Sequence, residues 1–577
     1  MIRAMLRCHA VCASLLALAL ATGPALAADA LVLVNGKVYT GVTGRPQAQA
    51  IVAEGGRIVF VGGTKEARRR APPGATLIDL RGATVLPGLA DAHAHLAGIG
   101  QRELSFDLTG VESLAALLDR LRERAAHDAA EWIVGRGWIE SKWSPAAFPT
   151  RHDLDAALDS RPVVLERADG HAVVANSRAL ALAGITRETP DPPGGEILRD
   201  PATGEPTGML IDAAADLVQT LVPAPSKDDL RRALLAGAAR SVRLGWTQLQ
   251  VAGMSFEEIA ELCRLYAEGR VKLRVYAAIG GPGRDAEQLL AAGRGYHSCD
   301  PRLTVRSIKL YMDGALGSRG AALLEPYSDM PDSRGLLRHP PEEILRTTIA
   351  GLRQGIQVQT HAIGDRGNRI VLDQYQQALA VVPAPERAVP EPRLRIEHLQ
   401  VIEDGDIRRL ARLGVIASMQ ASHAISDMLF APARLGPGRI GRAYAWRKVL
   451  ASGAVLAGGS DAPVEQGDPR IEFYAAVARR TLEGHAGPDW GLDQRLTRAE
   501  ALAMLSSGPA WAAFEEEVRG SIEPGKWADF SVFATDLMQV PEREILESRA
   551  VLVVIGGELA WADPAFRPPS VSARQPP

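Results

Sequence analysis

Apolar positions along this chain fall into two textures. Short strand-like runs, alternating or continuously apolar, occupy residues 30–35, 37–40, 50–54, 57–62 and 75–79, with turns expected at Gly36, Gly55-Gly56 and Gly63. The same texture returns at 531–534 and 550–555, where Gly556-Gly557 reads as a hairpin turn before 558–561. Between these ends, β-like runs alternate with amphipathic helical segments, the pattern of βα units around a parallel sheet. Eight runs qualify as barrel strands: 84–93, 246–251, 272–279, 304–311, 356–361, 393–398, 415–420 and 454–461. The expected fold is therefore α/β: a (β/α)8 TIM-type barrel over 88–515, with a small β-sandwich built from 28–87 and from 516–577, tail included. The interval 99–244 is too long for an ordinary connection. It reads as an insertion of about 100–244, with strands at 132–135 and 162–166 and turn chemistry at 190–195 and 201–206.

The first residues have a different character. Arg3 and Arg7 precede an apolar run at 10–21, and Pro24-Ala25-Leu26-Ala27 ends in the small-x-small pattern of a signal-peptidase site. A signal peptide over 1–27, cleaved after Ala27, is expected, which places the mature protein in the periplasm or outside the cell. No later run reaches the ~20 apolar residues of a bilayer span, so no membrane span is expected. Of the four cysteines, Cys8 and Cys12 leave with the leader, and Cys263 and Cys299 are too few for a disulfide scaffold and lack CxxC spacing. They either form one bridge or remain two buried free thiols, the second being the favoured reading. A net charge of −3 without a basic stripe gives nucleic-acid binding no support. Homodimers are the commonest oligomers, so a homodimer is the default expectation.

The chemistry sits at the strand ends. The run Val85-Leu86-Pro87-Gly88-Leu89-Ala90-Asp91-Ala92-His93-Ala94-His95 delivers two histidines one residue apart, which a strand aims the same way. Lys309 lies near the end of the fourth expected strand, His361 ends the fifth, His398 the sixth, and Asp461 the eighth, in Gly458-Gly459-Ser460-Asp461-Ala462-Pro463. A single histidine at such a place is usually a packed residue, and an Asp before Pro a turn. Six candidates under one strand register are different, because the C-terminal ends of barrel strands converge on one face, where active sites are built. Neutral imidazoles and a carboxylate there suit zinc or a similar divalent ion.

Taken together, Pro87-Gly88-x-x-Asp91-x-His93-x-His95, Lys309 with Asp313-Gly314, His361, His398 and Gly459-Ser460-Asp461 resemble the metal-dependent amidohydrolase superfamily. The longer phrases at 309–321, 360–367 and 459–464 are similar to the branch that contains N-substituted formamide deformylase, and 520–530 is similar to the segment that returns from barrel to sandwich. The resemblance implies that His93, His95 and Asp461 hold a first metal, and His361 and His398 a second if present. Lys309 is then an N6-carboxylated lysine bridging both, with zinc the expected ion. It implies hydrolysis of a non-peptide carbon-nitrogen bond, in an amide, formamide or cyclic amide, by metal-activated hydroxide. Asp461 is the general base and acid, and Lys309 and His398 complete the catalytic set.

Substrate contacts are less legible. Asp169-Gly170-His171 resembles a phrase of the branch's insertion and makes His171 a candidate. Arg319 and Asp313, after the fourth strand, and His423, beyond the seventh, are further candidates. Trp138 and Trp143 are either an apolar wall or insertion core. Two alternatives stay open: ester, lactone or deamination chemistry on the same centre, and a non-catalytic regulatory relative that keeps the fold.

Overall fold

The computed structural model describes residues 30–566, apart from 128–129, 141–142, 168–171, 193–194, 224–225, 297 and 488–489. The expected leader, with Cys8, Cys12 and cleavage after Ala27, lies outside the described residues. So does the phrase Asp169-Gly170-His171.

Eight parallel strands form one sheet in chain order: β1 (Leu89–Ala94), β2 (Trp246–Met254), β3 (Arg274–Gly280), β4 (Leu303–Tyr311), β5 (Gln357–Ala362), β6 (Arg395–His398), β7 (Ile416–Gln420) and β8 (Leu456–Gly459). The sheet closes where β8 meets β1. The Asp461 amide donates to the His93 carbonyl at 2.7 Å and the His95 amide to the Ala462 carbonyl at 2.8 Å. Asp91 fastens the same seam, accepting from the Ser460 amide at 2.9 Å and the Ser460 hydroxyl at 2.5 Å. Gly459 is required there, since a Cβ would stand 2.4 Å from the His93 nitrogen and 2.7 Å from Asp91 Oδ1.

The run expected as one barrel strand over 84–93 is two strands. Thr84–Pro87 pairs with Lys37–Tyr39 and antiparallel to Phe530–Phe533, in a six-stranded sheet made from both chain ends. The chain breaks at Gly88, where a Cβ would lie 2.6 Å from Thr247 Oγ1 and 2.8 Å from Asp529 Cβ. A four-stranded sheet packs against this one. In its strand Ala30–Val34, Leu31 and Leu33 face the core shared with Val85, Phe530 and Val532, while Ala30, Val32 and Val34 face a second core containing Ala67. That two-sided burial explains a strand with no polar alternation.

The interval 99–244 contains more than an insertion. Helices α1 (Leu96–Leu104) and α2 (Lys227–Leu244) pack on each other in the barrel's outer layer. They touch backbone to backbone: a Cβ on Gly100 would stand 1.7 Å from the Ala233 carbonyl oxygen, and one on Gly237 2.3 Å from that of Leu96. Between them a separate six-stranded sheet runs from Phe106–Asp107 to Pro206–Asp212, with the expected turn chemistry joining the antiparallel strands Gly195–Arg199 and Pro206–Asp212.

Cys263 and Cys299 form a disulfide, against the expectation of two buried free thiols. The helix Phe256–Ala267 and the turn before β4 lie side by side outside the barrel, and Cys299 is exposed, so 36 residues of separation close to a Cα distance of 5.9 Å. Among the described residues no helix is long and apolar enough to cross a membrane.

The α1–α2 contact yields a test. Gly100→Ala forces the two backbones apart, a cost of about 1–3 kcal/mol or more for overpacking, and should lower the thermal unfolding midpoint. Gly405→Ala, in the helix Asp404–Leu413 with only the Arg408 guanidinium within 4 Å, should hold or raise it. Equal midpoints for the two variants would contradict this packing.

Candidate active site

At the C-terminal end of the barrel, His93, His95, Lys309, His361, His398, His423 and Asp461 line one cavity of about 570 Å³. The imidazoles are in van der Waals reach: ring centroids are 4.7 Å apart for His93 and His398, 4.5 Å for His361 and His398, and 5.8 Å for His398 and His423. Asp461 is the hub of the first group. Its Oδ1 lies 3.0 Å from His95 Nε2 and 3.5 Å from His93 Nε2, and its Oδ2 lies 3.6 Å from His423 Nε2.

Local backbone geometry makes this convergence possible. His93 on β1 and His95, the extended residue just past its end, flank the buried Ala94, so both side chains point one way. Glu397 and His398 are neighbours, which a regular strand would send to opposite faces. His398 instead adopts a left-handed backbone with φ 74°, and Asp461, two residues past the end of β8, does so with φ 59°. Non-glycine residues held in this region mark positions the surrounding structure over-determines.

Three of the rings have a fixed outer partner. His93 Nδ1 meets Glu397 Oε2 at 2.5 Å, leaving Nε2 toward Lys309 Nζ (3.2 Å) and Asp461. His398 Nδ1 meets Gln420 Oε1 at 2.9 Å, which leaves Nε2 for the centre. Gln400 Nε2 donates to His423 Nδ1 at 3.0 Å. The Nε2 atoms of His361 and His423 are buried with no hydrogen-bond partner among the described residues.

The electrostatics favour ligand-ready forms. Burial, reinforced by Lys309, lowers His93 to about 4 and His361 to about 3, so these imidazoles are neutral with a lone pair available. Burial also lowers Lys309 to about 8, and among the described residues no carboxylate lies within ion-pair distance of its amine. For Asp461, burial pushes the carboxyl up, but the His95 hydrogen bond and the fields of His93, His398 and His423 outweigh it and hold the group well below its ordinary value. Neutral imidazoles, a carboxylate and unpartnered buried nitrogens are a donor set that fits a divalent ion. The close donor groups are His93, His95 and Asp461, and His398, His423 and Asp461.

Other candidates land elsewhere. Arg319 turns away from the cavity and forks onto Asp329, at 3.1 and 2.9 Å, in a loop. Asp313 is fully buried and accepts amides from Ile363, Gly364 and Ala322, tying the loops after β4 and β5 together behind His361 rather than facing a substrate. His423 does line the cavity. Trp138 and Trp143 are insertion core, their indole N–H groups donating to the Leu165 and Val111 carbonyls. His171 lies outside the described residues.

Sequence reasoning passed over Glu397 and Arg395. Both are fully buried: Arg395 Nε donates to Glu397 Oε1 at 2.8 Å, and its Nη atoms reach Gln250 Oε1, Ser418 Oγ and the Ala92 carbonyl. Burial pushes the Glu397 carboxyl up, but the Arg395 guanidinium and His93 outweigh it and hold the group ionised, down to about 2. The signal was present as two opposite charges, two residues apart, in an otherwise buried strand.

Comparison with known proteins agrees with this geometry. A family model described as an amidohydrolase family matches residues 76–560. The amidohydrolase-family protein YtcJ of Bacillus subtilis is 33% identical over 538 residues, covering 91% of this chain and 98% of its own. N-substituted formamide deformylase of Arthrobacter pascens is 28% identical over 544 residues, covering 92% and 98%. Among solved structures, a metal-dependent hydrolase from Pyrococcus furiosus superposes with a TM-score of 0.71 at 27% identity, covering 88% of this chain and all of the other. With its eight-stranded barrel, its strand-end histidines and a match over most of its length, the chain belongs to the amidohydrolase family.

Proposed function

We propose that the protein is an exported, metal-dependent hydrolase of a carbon-nitrogen bond in a non-peptide amide. The observation that carries this reading is the convergence of His93, His95, His361, His398 and Lys309 around an ionised Asp461 at one end of the barrel. His93, His95 and Asp461 would hold one zinc ion, and His361 and His398 a second. A divalent ion held there supplies Lewis acidity, making water acidic and a carbonyl electrophilic. The name of the Arthrobacter relative, N-substituted formamide deformylase, supports a formamide or similar small amide as substrate.

The residues themselves divide the remaining work. Asp461 Oδ1 is engaged by His95, so Oδ2 is the oxygen left to take a proton from the attacking water and return it to the departing nitrogen as the carbon-nitrogen bond breaks. Lys309 is buried as a cation-capable amine without a counter-ion, and its lowered pKa keeps a neutral fraction. That neutral amine can attack carbon dioxide, forming an N–C bond and releasing a proton to solvent, and the resulting carbamate replaces a buried cation with an oxygen donor. Glu397 holds the His93 ring so that Nε2 faces the centre, with Arg395 holding Glu397 in turn.

Hydrolysis of a panel of formamides, cyclic amides, esters and amino-heterocycles by zinc-loaded protein tests the reading. Turnover of an amide that stops on chelation and returns with metal is expected. Turnover of esters alone would overturn the bond assignment.

Asp461→Asn should lower kcat on the amide that is turned over by about 10²–10⁴-fold with the melting temperature nearly unchanged, and full activity in that variant would remove Asp461 from the proton path. Glu397→Gln should weaken zinc binding about 10–100-fold in competition with a chromogenic chelator. An unchanged affinity would show that the Glu397–His93 bond does not orient the ligand.

A further inference from the structure

Strands β4 and β8 stand opposite each other in the eight-stranded barrel, and each leads to a residue that lines the cavity: Tyr311 ends β4, and Asp461 lies two residues past β8. Asp461 Oδ2, the oxygen assigned above to the departing nitrogen, looks toward His423 beyond β7, 3.6 Å from its Nε2. The wall is open on that side, since Val464 lines the cavity and is 68% exposed. The nitrogen and its substituent therefore have room beside β7 and β8. The remaining group on the carbonyl carbon points the other way, toward β4.

What that group meets is a phenol. Tyr311 lies two residues beyond Lys309, so the period of a strand sends both side chains to one face, with Tyr311 one step nearer the mouth. Its ring centroid is 4.8 Å from Lys309 Nζ, 5.3 Å from the Arg338 guanidinium carbon and 5.7 Å from the centroid of His361.

The phenol reaches past β3 to the end of β2, where its oxygen is 3.5 Å from the place a Cβ would take on Gly253. Gly253, with φ 98°, and Gly280, the last residue of β3, bring no side chain of their own to this sector. One aromatic ring from β4 occupies it instead. The Tyr311 hydroxyl has no hydrogen-bond partner among the described residues, so the ring's bulk is what the fold uses here.

We propose that Tyr311 determines which acyl groups the enzyme accepts. Its phenol closes the side of the centre opposite Asp461 Oδ2, so the acyl group is a formyl or another of very few atoms, and the bulk of the substrate is carried on nitrogen. This rests on the hydrolase reading above and adds to it the residue that sets acyl size.

The test is a series with one amine and three acyl groups: N-pentylformamide, N-pentylacetamide and N-pentylbutyramide. Two readouts use the full, zinc-loaded chain: kcat/KM, and calorimetric affinity in an Asp461→Asn background. Each is expressed as a formyl-to-butyryl ratio and compared between variants, so that the intrinsic reactivity of the amides cancels. Tyr311→Ala should lower both ratios by about tenfold or more. Tyr311→Leu, which shortens the side chain but keeps it apolar, should move them the same way by less. Tyr311→Phe keeps the ring and should leave the ratios close to those of the wild type, even if kcat changes.

Ratios that stay the same in Tyr311→Ala and Tyr311→Leu would overturn the assignment, and so would a shift in Tyr311→Phe as large as in Tyr311→Ala. Absence of both binding and turnover across the series would also overturn it. If nothing is hydrolysed but the affinity ratio still follows the size of residue 311, the acyl assignment stands and the hydrolase reading fails. Hydrolysis of all three amides with a ratio indifferent to residue 311 is the reverse outcome.

Discussion

The seam between the last and first barrel strands is the contact on which the rest of the site depends. Closing a parallel barrel requires β8 to meet β1, and here the hydrogen bonds that close it come from the functional residues themselves. The Asp461 amide donates to His93, the His95 amide to Ala462, and Asp91 takes both donors of Ser460. Burial raises the Asp91 carboxyl to about 7, and donors from Ser460 and His93 pull against that rise. The closure sets Asp461 against His93 and His95, so fold and site share one set of bonds.

The barrel interior is polar for the same reason. Arg395, Glu397, Gln250 and Ser418 are buried together beneath the histidines, an arrangement that costs desolvation and is tolerated because the donors and acceptors are matched. Apolar side chains in those positions would pack without penalty but would leave His93 free to rotate. The network extends the strand-end chemistry one layer down. Above it the cavity changes character, with Phe430 and Leu316 adding apolar wall.

Much of this was legible in the sequence because strand register is a strong constraint: a period of two fixed the common direction of His93 and His95, and the β/α alternation brought strand ends hundreds of residues apart onto one face. What escaped was set by close approach or by partners remote in sequence. The break at Gly88 answers to Thr247 and Asp529, and the α1–α2 contact answers to two glycines that look ordinary in the chain. Arg319 read as a substrate contact because it follows the Lys309 strand, but Asp329, ten residues on, captures it. Asp313 read the same way and is instead consumed by three amides. The Cys263–Cys299 bridge depends on how a helix and a turn pack outside the barrel, which spacing does not encode.

The central claim is that this buried cluster of histidines, lysine and aspartate is built around metal ions rather than as a self-contained hydrogen-bond network. Anomalous diffraction from crystals of the zinc-loaded protein tests it most directly. The account predicts a metal peak within coordination distance of His93, His95 and Asp461, with density for a carboxyl group extending Lys309 toward His361 and His398. A cavity that stays free of metal at saturating zinc, with Lys309 an unmodified amine, would contradict it.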